Sequence, residues 1–389
     1  MSRAERTAVL VAVAAVLVVT LVVALLTGPP RRPPASGGGA VTVLTRNLYL
    51  GGDITRPVRA VRGQSGQAAL VALAHANHEL REIVDGTDFP TRARLLAKEI
   101  YAVQPDLVGL QEVALWRSGP LQLDQIGRPN ATTVNYDFLT ILQSALAERG
   151  TPYDLVRVQS ESDVEAPAFA GSPTAPQSPR DVRLTMRDVI LLRQGSSVRV
   201  TASGSGQFSR RLDLDLSGVP FSFVRGYAWA DVTAGAAELR FVTTHLESQS
   251  SDLALAQADE LLAGPAASSA RPVVVVCDCN SDPGATVVEP GQNTAGAAAY
   301  QRLTGAGLQD AWLSRGGPGF TAAFSESVRD PSSSRLNRRL DLVLTRGTTA
   351  APVQAERADV LGEEASDRDE ATGLWPSDHA GVMTEVRVD

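Results

Sequence analysis

The chain has 389 residues, 43% of them hydrophobic and 20% charged, so it can bury a substantial core. Its formal net charge of −7 argues against a protein that grips duplex nucleic acid by its own positive charge. A metal-dependent nuclease is not excluded, because a bound divalent cation adds charge that the sequence sum omits.

The first element is an apolar run at residues 7–26, almost all Val, Leu and Ala, with Arg3 and Arg6 before it. Twenty residues at about 1.5 Å rise reach about 30 Å, one bilayer crossing. The run is longer than the apolar stretch of a signal peptide, typically about 7–15 residues, and it is followed by Gly28-Pro-Pro-Arg-Arg-Pro-Pro34. It is therefore expected to be a retained anchor over residues 1–27, with a cleaved signal peptide and secretion as the alternative. Arg31 and Arg32 balance Arg3 and Arg6, so charge does not orient the segment. Export of the larger part is the simpler arrangement. Residues 28–40 are rich in Pro and Gly and form a tether. A single catalytic domain is expected over residues 41–389, since the motifs below are spread too evenly for a split.

Six short segments then each pair a strand-like apolar run with a polar residue suited to phosphate or a hard metal: residues 43–48, 107–112, 241–245, 273–280, 339–344 and 377–379. Between them the spacing predicts amphipathic helices over 92–103, 136–149 and 251–263. Residues 171–180 are Pro- and Ser-rich and are expected to be a loop; residues 362–373 form an acidic one. Strands alternating with helices suit mixed sheets covered by helices. His75 and His78 stand three apart on a helix without a third ligand, which reads as a surface helix face. Cys277 and Cys279 close no obvious loop, so a stabilising disulfide is not expected there, and no second Cys or His pair makes a zinc site. Arg335, Arg338 and Arg339 form a basic cluster that reads as a solvated loop.

In order and type, Asn47, Glu112, His245, Asp278 with Asn280, Asp341, and Asp378 with His379 resemble the endonuclease/exonuclease/phosphatase superfamily. This group includes the deoxyribonuclease I, exonuclease III, inositol-polyphosphate phosphatase and neutral sphingomyelinase families. The pieces that carry the resemblance best are Leu110-Gln111-Glu112, Thr244-His245-Leu246, the run from Asp278 to Pro283, and Ser377-Asp378-His379. One departure stands out: where the family usually has Gly-Asp-Phe-Asn, this chain has Cys277-Asp278-Cys279-Asn280. Strand alternation turns Asp278 and Asn280 one way and both cysteines the other, so the change falls on the packing behind the site. The resemblance implies a four-layered α/β sandwich, two packed mixed β-sheets flanked by helices.

It also implies roles. Glu112 would be the principal ligand of Mg²⁺, or of Mn²⁺ in its place, with Asp378 a second ligand through water. Asn47 would position Glu112 or a phosphate oxygen, and His245 would donate to a phosphate oxygen. Asp278 and Asn280 would orient and deprotonate the attacking water. Asp341 and His379 read as a carboxylate–imidazole pair, in which the carboxylate fixes the ring tautomer. The general base stays open between Asp278 and His379. Asp188, read at a strand start, and Arg225 are further candidates for lining the site.

The resulting expectation is a Mg²⁺-dependent phosphodiesterase at the membrane, acting outside the cytoplasm. Its substrate is nucleic acid or a phospholipid headgroup; a small phosphomonoester and a silent binding module are the alternatives. The membrane is a partner through the N-terminal segment, and nothing implies a protein partner.

Overall fold

The computed structural model describes residues 39–126, 128–216, 219–266, 270–285 and 296–389, all within one compact unit, Gly38–Asp389. The apolar run at 7–26 and most of the tether lie outside the described residues. Among the described residues no helix is long and apolar enough to cross a membrane.

Two mixed sheets carry the fold. The first contains β1 (Gly39–Asn47), β2 (Leu107–Gln111), β3 (Leu115–Gly119), β4 (Thr133–Asp137), β5 (Tyr153–Ser172) and β6 (Ala175–Arg193). The second contains β7 (Arg199–Gln207), β10 (Gly226–Ala234), β11 (Ala237–His245), β12 (Val273–Asp278), β13 (Gln309–Asp310) and β14 (Asp341–Arg346), while β8 (Leu212–Leu216) and β9 (Val219–Phe223) form a separate ribbon. The chain returns to the first sheet as β15 (Val353–Leu361) and β16 (Gly381–Val388). Strand order is β15-β16-β1-β2-β6-β3-β4, with β5 on β6, and β13-β14-β12-β11-β10-β7.

Among the described residues only β1–β2 and β11–β12 are parallel pairs, and each needs a helical crossover. The first runs through α1 (Thr55–Ala60), α2 (Gly66–Gly86) and α3 (Phe89–Val103), where Asp88 caps α3 by accepting from the Thr91 amide. Helix α4 (Phe138–Glu148) packs beside them. The second crossover is α5 (Ser251–Ala263), over the predicted residues, and α6 (Ala298–Gly305) joins it.

Alternation along the strands builds the layers. Val41, Val43, Phe241, Val274 and Val276 face each other between the sheets. Leu44, Val108 and Leu110 face α3 and α4, and Val273, Val275 and both cysteines face α5 and α6. The result is helix, sheet, sheet, helix, as the sequence implied. At Gly109 the sheets approach so closely that a Cβ would lie 2.4 Å from Val276. Just beyond, Gln111 bridges them, accepting from Thr45 at 3.3 Å and donating to Thr243 at 2.9 Å.

Two expectations are corrected. Residues 171–180 are not a loop but the end of the β5–β6 hairpin, with Ser172 opposite Ala175. β3 stops pairing with β6 at Asp181, so Pro176 and Pro179 sit where the other edge of β6 is free, and their missing amides cost no ladder bond. Cys277 and Cys279 do form a disulfide. Residues two apart share a strand face, and the bend after Asp278 brings their Cα atoms to 5.0 Å, within bridging range.

Beneath the rim, Arg46 on β1 is fully buried and donates to both oxygens of Glu99 on α3, at 3.1 and 3.2 Å, and to the carbonyl of His379. Burial pushes the Glu99 carboxyl up to about 7 even against Arg46. Arg46→Ala should cost about 3–5 kcal/mol, because it leaves a buried acid unpaired. Replacing both partners with Met should recover most of that loss in urea denaturation. Equal loss in the single and double variants would show that the ion pair itself, not the orphaned charge, supplies the stability.

Candidate active site

The strand registers bring the polar ends together. Asn47 ends β1 opposite Gln111 of β2, and His245, Asp278 and Asp341 lie side by side on β11, β12 and β14. Asn47 donates to Asp278 Oδ2 at 2.9 Å and so ties the two sheets at the rim, while its own Oδ1 accepts from the Tyr49 amide. The sequence expectation placed Asn47 on Glu112 or phosphate; here its amide is committed to Asp278. Asp341 Oδ2 lies 2.7 Å from His379 Nδ1, the anticipated carboxylate–imidazole pair. Asp278 Oδ2 is 3.4 Å from His245 Nε2 and 3.8 Å from His379 Nδ1. Asn280 donates to the Leu246 carbonyl at 3.0 Å and sets its amide nitrogen 3.1 Å from His245 Nε2.

Glu112 leaves β2 with φ 55°, a left-handed conformation that costs a non-glycine residue on the order of 1 kcal/mol. Its Oε2 accepts from the Leu50 amide at 2.8 Å. Glu112 and Asp378 line one cavity of about 280 Å³ together with Arg225, Glu247, Asp53 and Glu326. Arg225 links this wall to the deeper set, its guanidinium 2.8 Å from His245 Nδ1. Asn280 presents a second donor at Nε2, and a neutral imidazole accepts at only one nitrogen, so these contacts do not fix the tautomer.

Burial dominates the electrostatics. It pushes Asp278 up to about 7 and, with Glu112 adding to it against His379, Asp378 up to about 6. His245 is driven well below its ordinary value by burial, then by Arg225 and His379. Burial opposes charge on His379 as well, but Asp341, Asp278 and Asp378 together outweigh it and hold the ring well above its ordinary value. Crowded carboxylates on one cavity are the donor set of a hard divalent cation, so Glu112 and Asp378 fit such an ion. Asp278, Asp341 and His379 also bring potential ligand atoms within 4.8 Å of one another. There, however, His379 Nδ1 is occupied by Asp341, which favours proton handling over coordination.

A model of the endonuclease/exonuclease/phosphatase family matches residues 61–379. This chain belongs to that family. Its members are phosphoester hydrolases that usually employ divalent metals. No curated protein matches the chain. In fold it is similar to an endonuclease/exonuclease/phosphatase family protein from Bacteroides thetaiotaomicron, at 15% identity and TM-score 0.52, covering 91% of this chain and 99% of that one. An endonuclease/exonuclease/phosphatase from Beutenbergia cavernae is similar at 19% identity and TM-score 0.50, covering 90% of this chain and 72% of the other.

Within this family member the remaining candidates separate. Asp188 lies well inside β6, not at a strand start; it is fully buried, and neither oxygen has a hydrogen-bond partner among the described residues. It sits behind the cavity wall, and burial followed by Glu161 raises its carboxyl well above the ordinary value. His75 is on the exposed face of α2 and reaches the Gly171 carbonyl, away from the site. Of the basic cluster, Arg339 is buried against Asp310 and is not solvated, whereas Arg335 is exposed, with Asp330 beside it. The acidic stretch at 362–373 packs on α3, where Lys98 donates to Ser366, and does not line the cavity.

Sequence reasoning missed Glu161 and Glu247. Glu161 accepts from the Gly226 amide and lies 3.6 Å from Arg225, but nothing in the polar run of β5 marks it. Glu247 stands two residues past His245 at the same rim, a spacing that was available.

Ring-nitrogen NMR of the metal-free protein should separate the two histidines. His379 should remain charged above the ordinary histidine value, whereas His245 should stay neutral below it. Asp341→Asn should lower the His379 titration. Two rings titrating together near about 6.5 would contradict the arrangement.

Proposed function

We propose that this family member is a Mg²⁺-dependent phosphodiesterase, with Mn²⁺ able to substitute, held outside the cytoplasm by its apolar N-terminus. One observation carries the reading. Two carboxylates on the wall of a cavity stand one contact away from a buried set containing a charged imidazole, a neutral imidazole and a high-pKa carboxylate.

A hard cation on Glu112 and Asp378 would polarise the phosphoryl group and offset charge on the leaving oxygen. The chain's own residues supply the proton chemistry. Asp278, pushed up to about 7, is matched to remove a proton from water at neutral pH, which supports Asp278 over His379 as the base. His379 is a poor base because Asp341 keeps it charged; its Nε2–H instead donates to the phosphoryl or leaving oxygen. His245, kept neutral by burial and by Arg225, serves as a neutral donor to a phosphate oxygen, held in place by Arg225. Asn47 and Asn280 hold Asp278 and the chain beyond it in place.

Activity should disappear with EDTA and return with Mg²⁺. Glu112→Gln should need far more Mg²⁺ than the wild type, and Asp278→Asn should lower turnover by at least about two orders of magnitude while keeping the fold. Wild-type turnover of Glu112→Gln at limiting Mg²⁺ would remove Glu112 from the metal. Normal turnover of Asp278→Asn would remove Asp278 as base.

The anchor rests on the length of the apolar run alone. Full-length protein should sediment with membranes and resist alkaline carbonate. A mature protein in the medium beginning between residues 28 and 41 would make the run a signal peptide.

A further inference from the structure

Beside the catalytic cavity lies a second one of about 340 Å³, within the range of small-ligand sites, about 300–1,000 Å³. Ile54, Met186 and Phe223 line both, so the two are neighbours across a common wall. The second cavity has a different chemistry. Val58 on α1, Leu73 and Leu80 on α2, Val164 on β5, and Val182 and Leu184 on β6 make its walls.

Polar side chains at its edge are already engaged within the protein. Asp163 accepts from Arg183 and Thr185, both at 2.8 Å, and Glu165 accepts from the Asn130 and Ala131 amides, both at 2.7 Å. Asn77 donates to the Pro167 carbonyl. The Glu161 Oε2 has no hydrogen-bond partner among the described residues, and it lies toward Arg225 of the catalytic cavity.

We propose that this cavity receives an aliphatic chain of the phosphoester substrate, so that the protein acts on lipid phosphodiesters. The proposal rests on the phosphodiesterase reading of the neighbouring site. An aliphatic chain brings no polar atom to be satisfied, which suits walls that offer no free donor. A nucleobase or sugar would bring polar edges that go unpaired there. The shared lining of Ile54, Met186 and Phe223 sets the two cavities side by side, so that a chain in one would leave the phosphoryl group by Glu112 and Asp378 in the other.

The test uses full-length protein and p-nitrophenyl phosphodiesters whose second ester group is methyl, butyl or octyl, below their micelle concentrations. We expect kcat/KM to rise by up to about fourfold per buried methylene until the cavity is full. In Leu73→Trp, which fills the cavity, the octyl-to-methyl ratio should fall by at least about tenfold; Val164→Trp should do the same and replaces it if Leu73→Trp fails to fold by circular dichroism. A flat series in the wild type overturns the proposal. So does a preference for thymidine 5′-p-nitrophenyl phosphate over the octyl ester that the filled variants abolish, since the cavity would then hold a base. If no ester is hydrolysed, the phosphodiesterase reading fails, and calorimetry with octylphosphonate against methylphosphonate decides the cavity separately. Tighter binding of the octyl compound, weakened in the filled variants, supports it; equal binding overturns it.

Discussion

The structure depends on how it tolerates buried negative charge where its two sheets meet. Asp188, Glu161, Asp278 and Asp341 are all nearly inaccessible, and Glu112, Glu247 and Asp378 line the adjoining cavity. Ionised carboxylates removed from water are costly unless paired. The fold answers partly with protons, since burial raises Asp278 to about 7 and Glu161 to about 8. It answers partly with buried cations: Arg225 reaches His245 and Glu161, and burial opposes its charge but the surrounding acids more than restore it. A divalent cation among the cavity-lining acids would complete the balance.

Buried arginines also solve a problem of assembly. Arg92, inaccessible at the start of α3, donates to the carbonyls of Leu48, Tyr49, Thr87 and Pro376. Those four carbonyls belong to the exit of β1, the α2–α3 junction and the segment that carries Asp378 and His379. Ser377 adds a bond to the Asn47 carbonyl at 2.8 Å, across 330 residues of sequence. The buried Phe324–Trp375 stack belongs to the same apolar cluster as Tyr49 beside this junction. Backbone that would otherwise be an irregular loop is thereby held as firmly as the strands beside it.

Much of this was legible because the site is built on strands. Asn47, His245, Asp278 and Asp341 each close or open an apolar run, so alternation placed them on one rim before any contact was known. The layer order came from the resemblance to the family, while alternation alone gave mixed sheets covered by helices. What could not be read were facts set by distant pairing. Pro176 and Pro179 look like loop residues until one sees that β6 has a free edge there. The Cys277–Cys279 bridge depends on a bend after Asp278 that spacing does not reveal. Arg339 resembles a solvated cation in sequence, and only the packing of β14 against Asp310 buries it. Glu161 lies in a polar stretch of a long strand, where no periodicity separates a buried acid from its exposed neighbours.

Strand β6 shows how one element joins the two kinds of chemistry. Val182, Leu184, Met186 and Asp188 are two residues apart and share a strand face. The first three line the apolar cavity, Met186 lines the catalytic one as well, and Asp188 lies buried among the acids behind it. Pairing with β2, β3 and β5 fixes the strand on both sides through this region. The change from apolar to acidic is therefore set by the pleat and not by a mobile loop, and distances between the two cavities vary little. A site whose parts are spaced by a paired strand discriminates by shape along its length. On the proposed reading, the common wall of Ile54, Met186 and Phe223 would be where a substrate is measured, and substitutions there would change selectivity before they changed the proton chemistry proposed for Asp278.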